Sequence, residues 1–79
     1  MKVRLFAHAR ELAGTDAVDM TLPAGATVAD VRRHLALRYP QLAGLLERSA
    51  IAVNDEFADD DMTLPLQAEA ALLPPVSGG

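Results

Sequence analysis

One stretch of the sequence has the apolar periodicity of a helix, and it lies between segments in which apolar and polar residues alternate as in a strand. This order constrains the fold more than any other feature of the sequence. The apolar residues of the helical stretch recur at spacings of 3, 4 and 4, as in an amphipathic helix: Val28, Val31, Leu35 and Tyr39. Thr27 and Asp30 are placed for a capping box at its start. Pro40 disfavours helical backbone at the preceding residue and so ends the helix. We therefore predict one main helix, with strands before and after it in the chain.

The alternating segments predict the strands of a mixed sheet. Before the helix, Val3 and Leu5 alternate with charged residues, and the apolar residues at 18, 20 and 22 alternate with polar ones, which favours a hairpin. Between them, residues 9–13 have a helix-forming composition but are long enough for only about one turn. After the helix we predict a third strand at residues 51–53, a brief pairing at 57–58 and a final strand at 69–73. The predicted fold class is α+β, with a mixed sheet packed against one main helix.

Composition narrows the possible functions. The chain has 79 residues, enough for one small domain, and no cysteine, so disulfides and thiolate metal sites are excluded. Its net charge of −4 disfavours nucleic acid as a partner. No apolar run approaches the ~20 residues that span a bilayer, so we expect no membrane partner. The sequence enters a strand pattern at once, without the apolar core of a signal peptide, and we expect a cytoplasmic protein.

The sequence offers no strong pattern of catalytic or metal-binding residues. We assign no catalytic role to His8 or His34. Adjacent residues in Asp59-Asp60-Asp61 point in different directions, so a solvated loop is favoured over a metal site. The sequence has no Walker motif, dinucleotide-binding loop or Ser/His/Asp set. We therefore expect no bound cofactor or metal, and no enzymatic activity of the chain on its own.

The last six residues differ from the rest and are predicted to form a flexible tail: Pro74, Pro75, Val76, Ser77, Gly78 and Gly79. Glycine has nothing to pack and much entropy to lose on ordering, but it lets the backbone pass through a narrow site. The φ angles of the two prolines are fixed, which reduces the freedom lost when the tail is ordered. We therefore divide the chain into a domain at residues 1–73 and a tail at 74–79. The terminal carboxylate of Gly79 is the candidate reactive group.

The tail alone is predicted to bind a partner weakly. Ordering a flexible residue costs about 1–2 kcal/mol, so ordering about four or five tail residues costs ~4–10 kcal/mol. The domain therefore needs a docking surface of its own. Phe6 and Leu73 fall on the non-core face of their predicted strands, and Phe57 follows a polar turn. We predict that these side chains form an apolar patch for a partner.

Three segments of the sequence carry a resemblance to one known family. They are Leu5-Phe6-Ala7 with Ala9-Arg10-Glu11-Leu12-Ala13-Gly14, the stretch from Thr27-Val28 through Tyr39-Pro40 to Ala52-Val53-Asn54, and Leu73-Pro74-Pro75-Val76-Ser77-Gly78-Gly79. In order and spacing they resemble the small subunits of molybdopterin synthase, in the MoaD/ThiS family of ubiquitin-like β-grasp sulfur carriers. The resemblance covers the whole chain and implies the β-grasp fold.

One segment, residues 64–69, departs from the pattern of that family. The family usually enters its last strand through an acidic turn that contains glycine, whereas this chain has Leu64-Pro65-Leu66-Gln67-Ala68-Glu69. We therefore expect a different turn geometry there, and we carry over no acidic partner contact.

The resemblance implies that Gly79 carries sulfur in the biosynthesis of the molybdenum cofactor. Its carboxylate would be adenylated by an E1-like adenylyltransferase that uses ATP, and a sulfur donor enzyme would then convert it to a thiocarboxylate. The thiocarboxylate would give its sulfur to precursor Z in the large catalytic subunit of a heterotetramer, and Arg10 would contact a partner. The lack of cysteine agrees with this, because a covalently carried sulfur then has only the terminal carboxyl to bind.

Other functions are compatible with the same sequence. A sulfur carrier for thiamine thiazole synthesis or tRNA thiolation would use the same tail, although thiamine carriers are usually shorter and lack the turn around Arg10. A ubiquitin-like modifier would use the activated Gly79 to form isopeptide bonds, although Lys2 is the only lysine on which the chain could build polymers of itself. A plain interaction module with an incidental tail is the remaining alternative.

Overall fold

Five strands, three α-helices and a 3-10 turn form the computed structural model of the chain, which describes residues 1–75. In chain order they are β1 (Lys2–Leu5), α1 (Ala7–Ala13), β2 (Ala17–Asp19), α2 (Val28–Arg38), the 3-10 turn (Pro40–Leu42), α3 (Ala43–Leu46), β3 (Ala50–Val53), β4 (Glu56–Ala58) and β5 (Glu69–Leu73). The predicted α+β class is confirmed, with α2 as the main helix.

The sheet is mixed, and its only parallel pairing among the described residues lies at the centre. The strand order is β2-β1-β5-β3-β4. β1 and β5 run parallel, with Leu5 opposite Leu72, while the other neighbours are antiparallel. The carboxyl ends of β1 and β5 therefore meet at one edge of the sheet. β3 begins at that edge too, because Ala50 pairs with Leu73.

The core lies between α2 and one face of the sheet. Val28, Val31 and Leu35 are fully buried, as the helix period predicts. They form one cluster with the inward-facing strand residues Val3, Leu5, Val18, Ile51, Val53, Ala70 and Leu72. Leu42, Leu45 and Leu46 belong to the same cluster. Each large apolar side chain buried in this way stabilises the fold by about 1.5–3 kcal/mol.

The start of α2 is capped by its own side chains and by a neighbouring loop. The backbone N–H of Thr27 donates to the Asp30 carboxylate at 2.9 Å, which confirms the predicted capping box. The next two N–H groups donate outside the helix, from Val28 to the Met62 carbonyl at 3.1 Å and from Ala29 to the Asp60 carbonyl at 2.9 Å. Backbone donors that a helix leaves unpaired at its first turn are thus satisfied.

Arg32 links α2 to two loops. Its guanidinium donates to the carbonyls of Leu46 (2.6 Å) and Ser49 (2.8 Å) and to the Asp60 carboxylate (2.7 Å). The acidic segment at residues 59–61 is exposed, as predicted for a solvated loop, but Asp60 also has this structural role.

The first helix is longer than the one turn predicted at residues 9–13. α1 begins at Ala7, and the Phe6 carbonyl accepts from the N–H groups of Ala9 (3.1 Å) and Arg10 (3.4 Å). Ala9 is completely buried, so packing on the core extends the helix beyond what its composition supports in isolation. Gly14 ends the helix in the left-handed conformation, with φ of 74° and its N–H donating to the Arg10 carbonyl.

The second strand is shorter than predicted. β2 ends at Asp19, whereas the alternation of apolar residues continues to Leu22. β1 begins at Lys2, so the residues after Met20 have no strand backbone opposite them. Met20 still exchanges two hydrogen bonds with Met1, at 2.7 and 2.9 Å, and its side chain is buried. The alternation of apolar residues therefore indicates which side chains are buried, and it continues beyond the last residue of β2 that pairs with β1.

Two turns place residues other than glycine in the left-handed conformation. Asn54 and Asp55, with φ of 49° and 69°, connect β3 to β4, and this conformation is typical of a type I′ hairpin turn. Gln67, with φ of 60°, takes the left-handed position in the segment at residues 64–69 that departs from the family pattern. Asn54 Oδ1 then accepts from the N–H of Glu69 at 3.1 Å, which fixes the start of β5.

Within residues 1–75, no helix has the length and apolar character needed to cross a membrane.

Truncating Val31 is expected to destabilise the domain far more than truncating Leu37 on the same helix. Val31 is 0% exposed and Leu37 is 75% exposed. We expect Val31→Ala to lower the free energy of unfolding by about 1–3 kcal/mol, and Leu37→Ala by less than ~0.5 kcal/mol. Urea unfolding followed by circular dichroism measures both. Equal losses would mean that α2 does not pack on the sheet through this face.

The stability that Asp30 gives to α2 is expected to disappear in acid. The hydrogen bond from the Thr27 backbone, followed by the charge of Arg33, lowers the pKa of the Asp30 carboxyl. A carboxyl with a lowered folded-state pKa stabilises the fold above its unfolded pKa of about 3.9, and the contribution is lost as the pH falls through the folded value. The wild type should therefore exceed Asp30→Asn in free energy of unfolding near neutral pH, and the difference should shrink below about pH 4. A difference that is constant from neutral to acidic pH would contradict this origin.

Candidate functional site

The outer face of the sheet, opposite α2, has a floor of small side chains. Arg4 pairs with Ala71, Ala71 with Ala52 and Ala52 with Phe57, so these four residues form a row across β1, β5, β3 and β4. Two alanines lie at the centre of the row, and the Phe57 ring therefore stands above its neighbours. Phe57 is 77% exposed. An aromatic side chain this exposed is available for a partner.

An apolar groove lies where β1 and β5 end, and it includes the three apolar residues of the predicted patch, Phe6, Phe57 and Leu73. Its lining, called the docking surface from here on, is Phe6, Ala7, Arg48, Ala50, Phe57, Leu73, Pro74 and Pro75. Phe6 is 42% exposed, and Leu73 is half-buried. The strand parity that put Phe6 and Leu73 on the outer face is thus seen in the structure. Their role in binding a partner stays a prediction.

Ala7 holds a strained backbone beside Phe6. Phe6 has extended backbone (φ −125°, ψ 158°) and continues the alternation of β1, while Ala7 has φ of 51°. The left-handed conformation costs a residue with a β-carbon roughly 1–2 kcal/mol. This sharp change of direction lets the chain pass from strand to helix within one residue and leaves the Phe6 side chain on the outer face.

Arg10 lies near the docking surface but does not line it. It is exposed on α1, one helical turn after Phe6, whose carbonyl accepts its backbone N–H. Within residues 1–75 its guanidinium has no hydrogen bond or ion pair. The contact with a partner that the resemblance implied for Arg10 stays a prediction.

Arg48 also lines the docking surface, and the sequence analysis did not predict it as a site residue. It follows α3 in a polar turn and precedes β3, where no local pattern marks it. The signal that could have found it is strand alternation. Residues 48, 50 and 52 are spaced by two and so lie on the same face, and the pairing of Ala50 with Leu73 shows that this is the outer face.

The far side of the outer face is polar and internally paired. The Arg4 guanidinium and the Glu69 carboxylate, each about half exposed, form an ion pair. The hydrogen bond from Arg4, followed by its charge, lowers the pKa of the Glu69 carboxyl. These groups line a second, more polar groove with Phe6, Ala52, Asn54 and Asp55. Phe6 therefore lies at the boundary between an apolar and a charged half of the face.

The tail is described only at its root. Pro74 is half-buried and Pro75 is exposed, and both contribute to the docking surface. Val76, Ser77, Gly78 and Gly79 lie outside the described residues. The predicted boundary at residue 74, the flexibility of the tail and the reactivity of Gly79 therefore stay predictions.

Residues 1–75 hold no group of three or more histidine and acidic side chains arranged to bind a metal ion.

The fold and this surface define a class of protein. The structure has a mixed five-stranded sheet with a central parallel pair, one main helix on its inner face and the docking surface at the root of the C-terminal segment. This is the architecture of a ubiquitin-like β-grasp domain. Within that class, a sequence model of the ThiS family matches residues 3–79. The chain belongs to the ThiS/MoaD family.

Two relatives that match over nearly the full chain carry the same name. A molybdopterin synthase sulfur carrier subunit of Arabidopsis thaliana is 35% identical over 79 residues, which cover 100% of this chain and 82% of the relative. The protein of the same name from Dictyostelium discoideum is 40% identical over 81 residues, covering 99% of this chain and 94% of the relative.

Two solved structures illustrate the range of the fold. The crystal structure of SAMP1 from Haloferax volcanii is similar with a TM-score of 0.87 at 30% identity, covering 99% of this chain and 97% of that one. A chain in the complex of subunits 1 and 2 of the molybdopterin-converting factor from Helicobacter pylori 26695 is similar with a TM-score of 0.70 at 25% identity, covering 99% and 96%.

Proposed function

We propose that this chain is the sulfur-carrier subunit of a molybdopterin synthase. The observation that carries the proposal is the apolar docking surface, which is continuous with the root of a tail ending in Gly78-Gly79. The relatives from Arabidopsis and Dictyostelium, which match over nearly the whole chain, are named for this role. The chain supplies a reactive end and a surface that positions it, while the catalytic groups belong to its partners.

The chemistry proposed for Gly79 begins with activation. A carboxylate is a poor electrophile because its oxygen is a poor leaving group. An E1-like adenylyltransferase would join the carboxylate to the AMP portion of ATP with release of pyrophosphate, and a sulfur donor enzyme would then displace AMP. The product is a thiocarboxylate whose sulfur anion is a strong nucleophile, as thiolates are. The large subunit would take one sulfur from each of two such thiocarboxylates to form the dithiolene of molybdopterin from precursor Z, and each Gly79 would be released as a carboxylate.

The large synthase subunit is the proposed occupant of the docking surface. The complex of two converting-factor subunits from Helicobacter pylori supports a partner of this kind, because one of its chains shares this fold. The docking surface includes Pro74 and Pro75, so a partner bound there also lies where the tail begins. Four residues follow Pro75, and an extended chain of that length spans about 13–14 Å. The active site that receives Gly79 should therefore lie within that distance of the docked surface.

A ubiquitin-like modifier is the second candidate function. The observation that favours it is the TM-score of 0.87 to SAMP1 from Haloferax volcanii. Two further similar structures, from H. volcanii and Methanosarcina acetivorans, are named small archaeal modifier protein 1. A modifier would pass the same activated Gly79 to a target lysine rather than to sulfur. Mass spectrometry of the protein from its native cells separates the two, since a modifier gives Gly79 isopeptide conjugates and a sulfur carrier gives a free thiocarboxylate.

Deleting Gly79 is expected to abolish sulfur transfer and leave the fold intact. After incubation with the activating enzyme, ATP and the sulfur donor, intact-mass analysis of the wild type should show one terminal oxygen replaced by sulfur. The deletion variant should unfold at the same temperature as the wild type and yield no molybdopterin with the large subunit. Ser77→Ala, which alters the tail but keeps its end, is the matched control and should remain active. Molybdopterin formation by the deletion variant would contradict the assignment of Gly79.

Phe57→Ala is expected to weaken binding to the large subunit without weakening the fold. The ring is 77% exposed, so its truncation should change the free energy of unfolding by less than ~0.5 kcal/mol. Loss of an interface anchor costs about 1–4 kcal/mol of binding free energy, and calorimetric titration can measure this.

Leu66→Ala is the matched control for Phe57→Ala. Leu66 is 85% exposed and lines a different groove, beside the loop at residues 21–26. Its truncation should leave the affinity unchanged. Equal losses in the two variants, or unfolding caused by Phe57→Ala, would contradict the assignment of the docking surface.

A further inference from the structure

We propose that Arg48 determines specificity on the docking surface by pairing with a carboxylate of the large subunit. The inference rests on the proposed function and adds a chemical requirement to it. The partner must present an acidic side chain beside the apolar area that covers Phe57 and Leu73.

The position of Arg48 makes it part of the contact rather than a distant surface charge. It lines the same groove as Phe6, Phe57, Leu73 and the two prolines at the tail root. A partner that covers these apolar side chains must also cover or border the guanidinium. It is the charged member of the otherwise apolar docking surface.

The backbone around Arg48 is held in place by hydrogen bonds on both sides. The N–H of Arg48 donates to the Leu45 carbonyl at 3.1 Å, and the buried Ser49 hydroxyl donates to the same carbonyl at 2.6 Å. Arg32 binds the carbonyls of Leu46 and Ser49 on either side. The backbone that carries Arg48 is therefore ordered before binding, which reduces the entropy lost on association.

The charge of Arg48 is not used inside the described part of the chain. Arg4, Arg32 and Arg33 each form an ion pair with an acidic side chain. Arg38 donates to the Asp19 carbonyl. The hydrogen bonds and ion pairs of residues 1–75 include none from the Arg48 guanidinium, although the chain has a net charge of −4 and many acidic side chains.

The chemistry of a guanidinium determines which group of a docked partner can pair with Arg48. A guanidinium that loses water in an interface is costly unless a charged acceptor replaces that water. A carboxylate matches its planar pair of N–H donors. The other side chains of the docking surface are apolar and offer no second cation, so a phosphate would find little besides Arg48 itself. The surface thus selects a protein partner with an acidic group beside an apolar area.

Charge reversal with a matched control tests the inference. Arg48→Glu and Arg33→Glu change the net charge equally, but Arg33 lies exposed on α2, on the other side of the sheet. Thermal unfolding first verifies that each variant is folded. The rates of association with the large subunit and dissociation from it are then measured with one partner immobilised on a sensor surface, at low and at moderate salt. We expect Arg48→Glu to lower the affinity ~10- to 100-fold, with a slower association rate and a weaker dependence on salt. Arg48→Lys should fall between the wild type and Arg48→Glu, because it keeps the charge and loses the planar pair of donors. Arg33→Glu should change the affinity by less than about threefold.

The outcomes distinguish a failure of the inference from a failure of the proposed function. If the wild type and Arg33→Glu bind the large subunit and Arg48→Glu binds equally well, Arg48 has no such partner and the inference alone is overturned. Restoration of Arg48→Glu binding by one acidic-to-lysine change on the large subunit would identify the carboxylate and support the inference directly. Should Arg48→Glu be poorly folded, Arg48→Gln makes the same test with loss of charge only. If the wild type itself fails to bind, the proposed function and this inference fall together.

Discussion

The parallel pairing of β1 with β5 is the constraint on which the rest of the site depends. It joins the first strand to the last, so the residue after β1 and the residues after β5 reach the same edge of the sheet. Phe6 therefore lies beside Leu73 and Pro74, although they are far apart in sequence. A one-residue slip of either strand would send its outward side chains into the core. The buried partners Val3, Leu5, Ala70 and Leu72 oppose such a slip, and in this way the core fixes the geometry of the docking surface.

In the proposed function, affinity and chemistry belong to different parts of the chain. Ordering a tail of about four or five residues costs ~4–10 kcal/mol, which glycine and serine recover poorly because they bury little apolar area. The docking surface can offset that cost, since aromatic anchors such as Phe57 contribute strongly to interfaces. The tail then needs only to reach a catalytic centre, and the absence of bulky side chains at its end serves that purpose. The same division suits a sulfur carrier and a modifier, which differ in what attacks the activated carboxyl.

Much of this architecture could be predicted from the sequence, because periodicity reports burial. The stripe on α2, the capping box of Thr27 and Asp30, and the parity of β5 all depend on neighbours within the same segment. The predictions failed where the local structure depends on residues that are distant in the sequence. β2 ends early because β1 offers no backbone beyond Met1. α1 is two residues longer than predicted because Ala9 packs on the core. Arg48 was missed for the same reason, since its place in one groove with Phe57 and Leu73 depends on the registers of β3 with β4 and with β5.

The central claim is that docking and reaction belong to separate parts of one chain, and a competition measurement tests it most directly. The chain lacking Gly79 is added in increasing amounts to a synthase reaction driven by wild-type thiocarboxylate, and molybdopterin formation is followed. We expect competitive inhibition, because the truncated chain keeps the whole docking surface. We also expect that adding Phe57→Ala to the truncated chain relieves the inhibition. A folded truncated chain that does not inhibit, or one that inhibits equally with Phe57→Ala, would contradict the account.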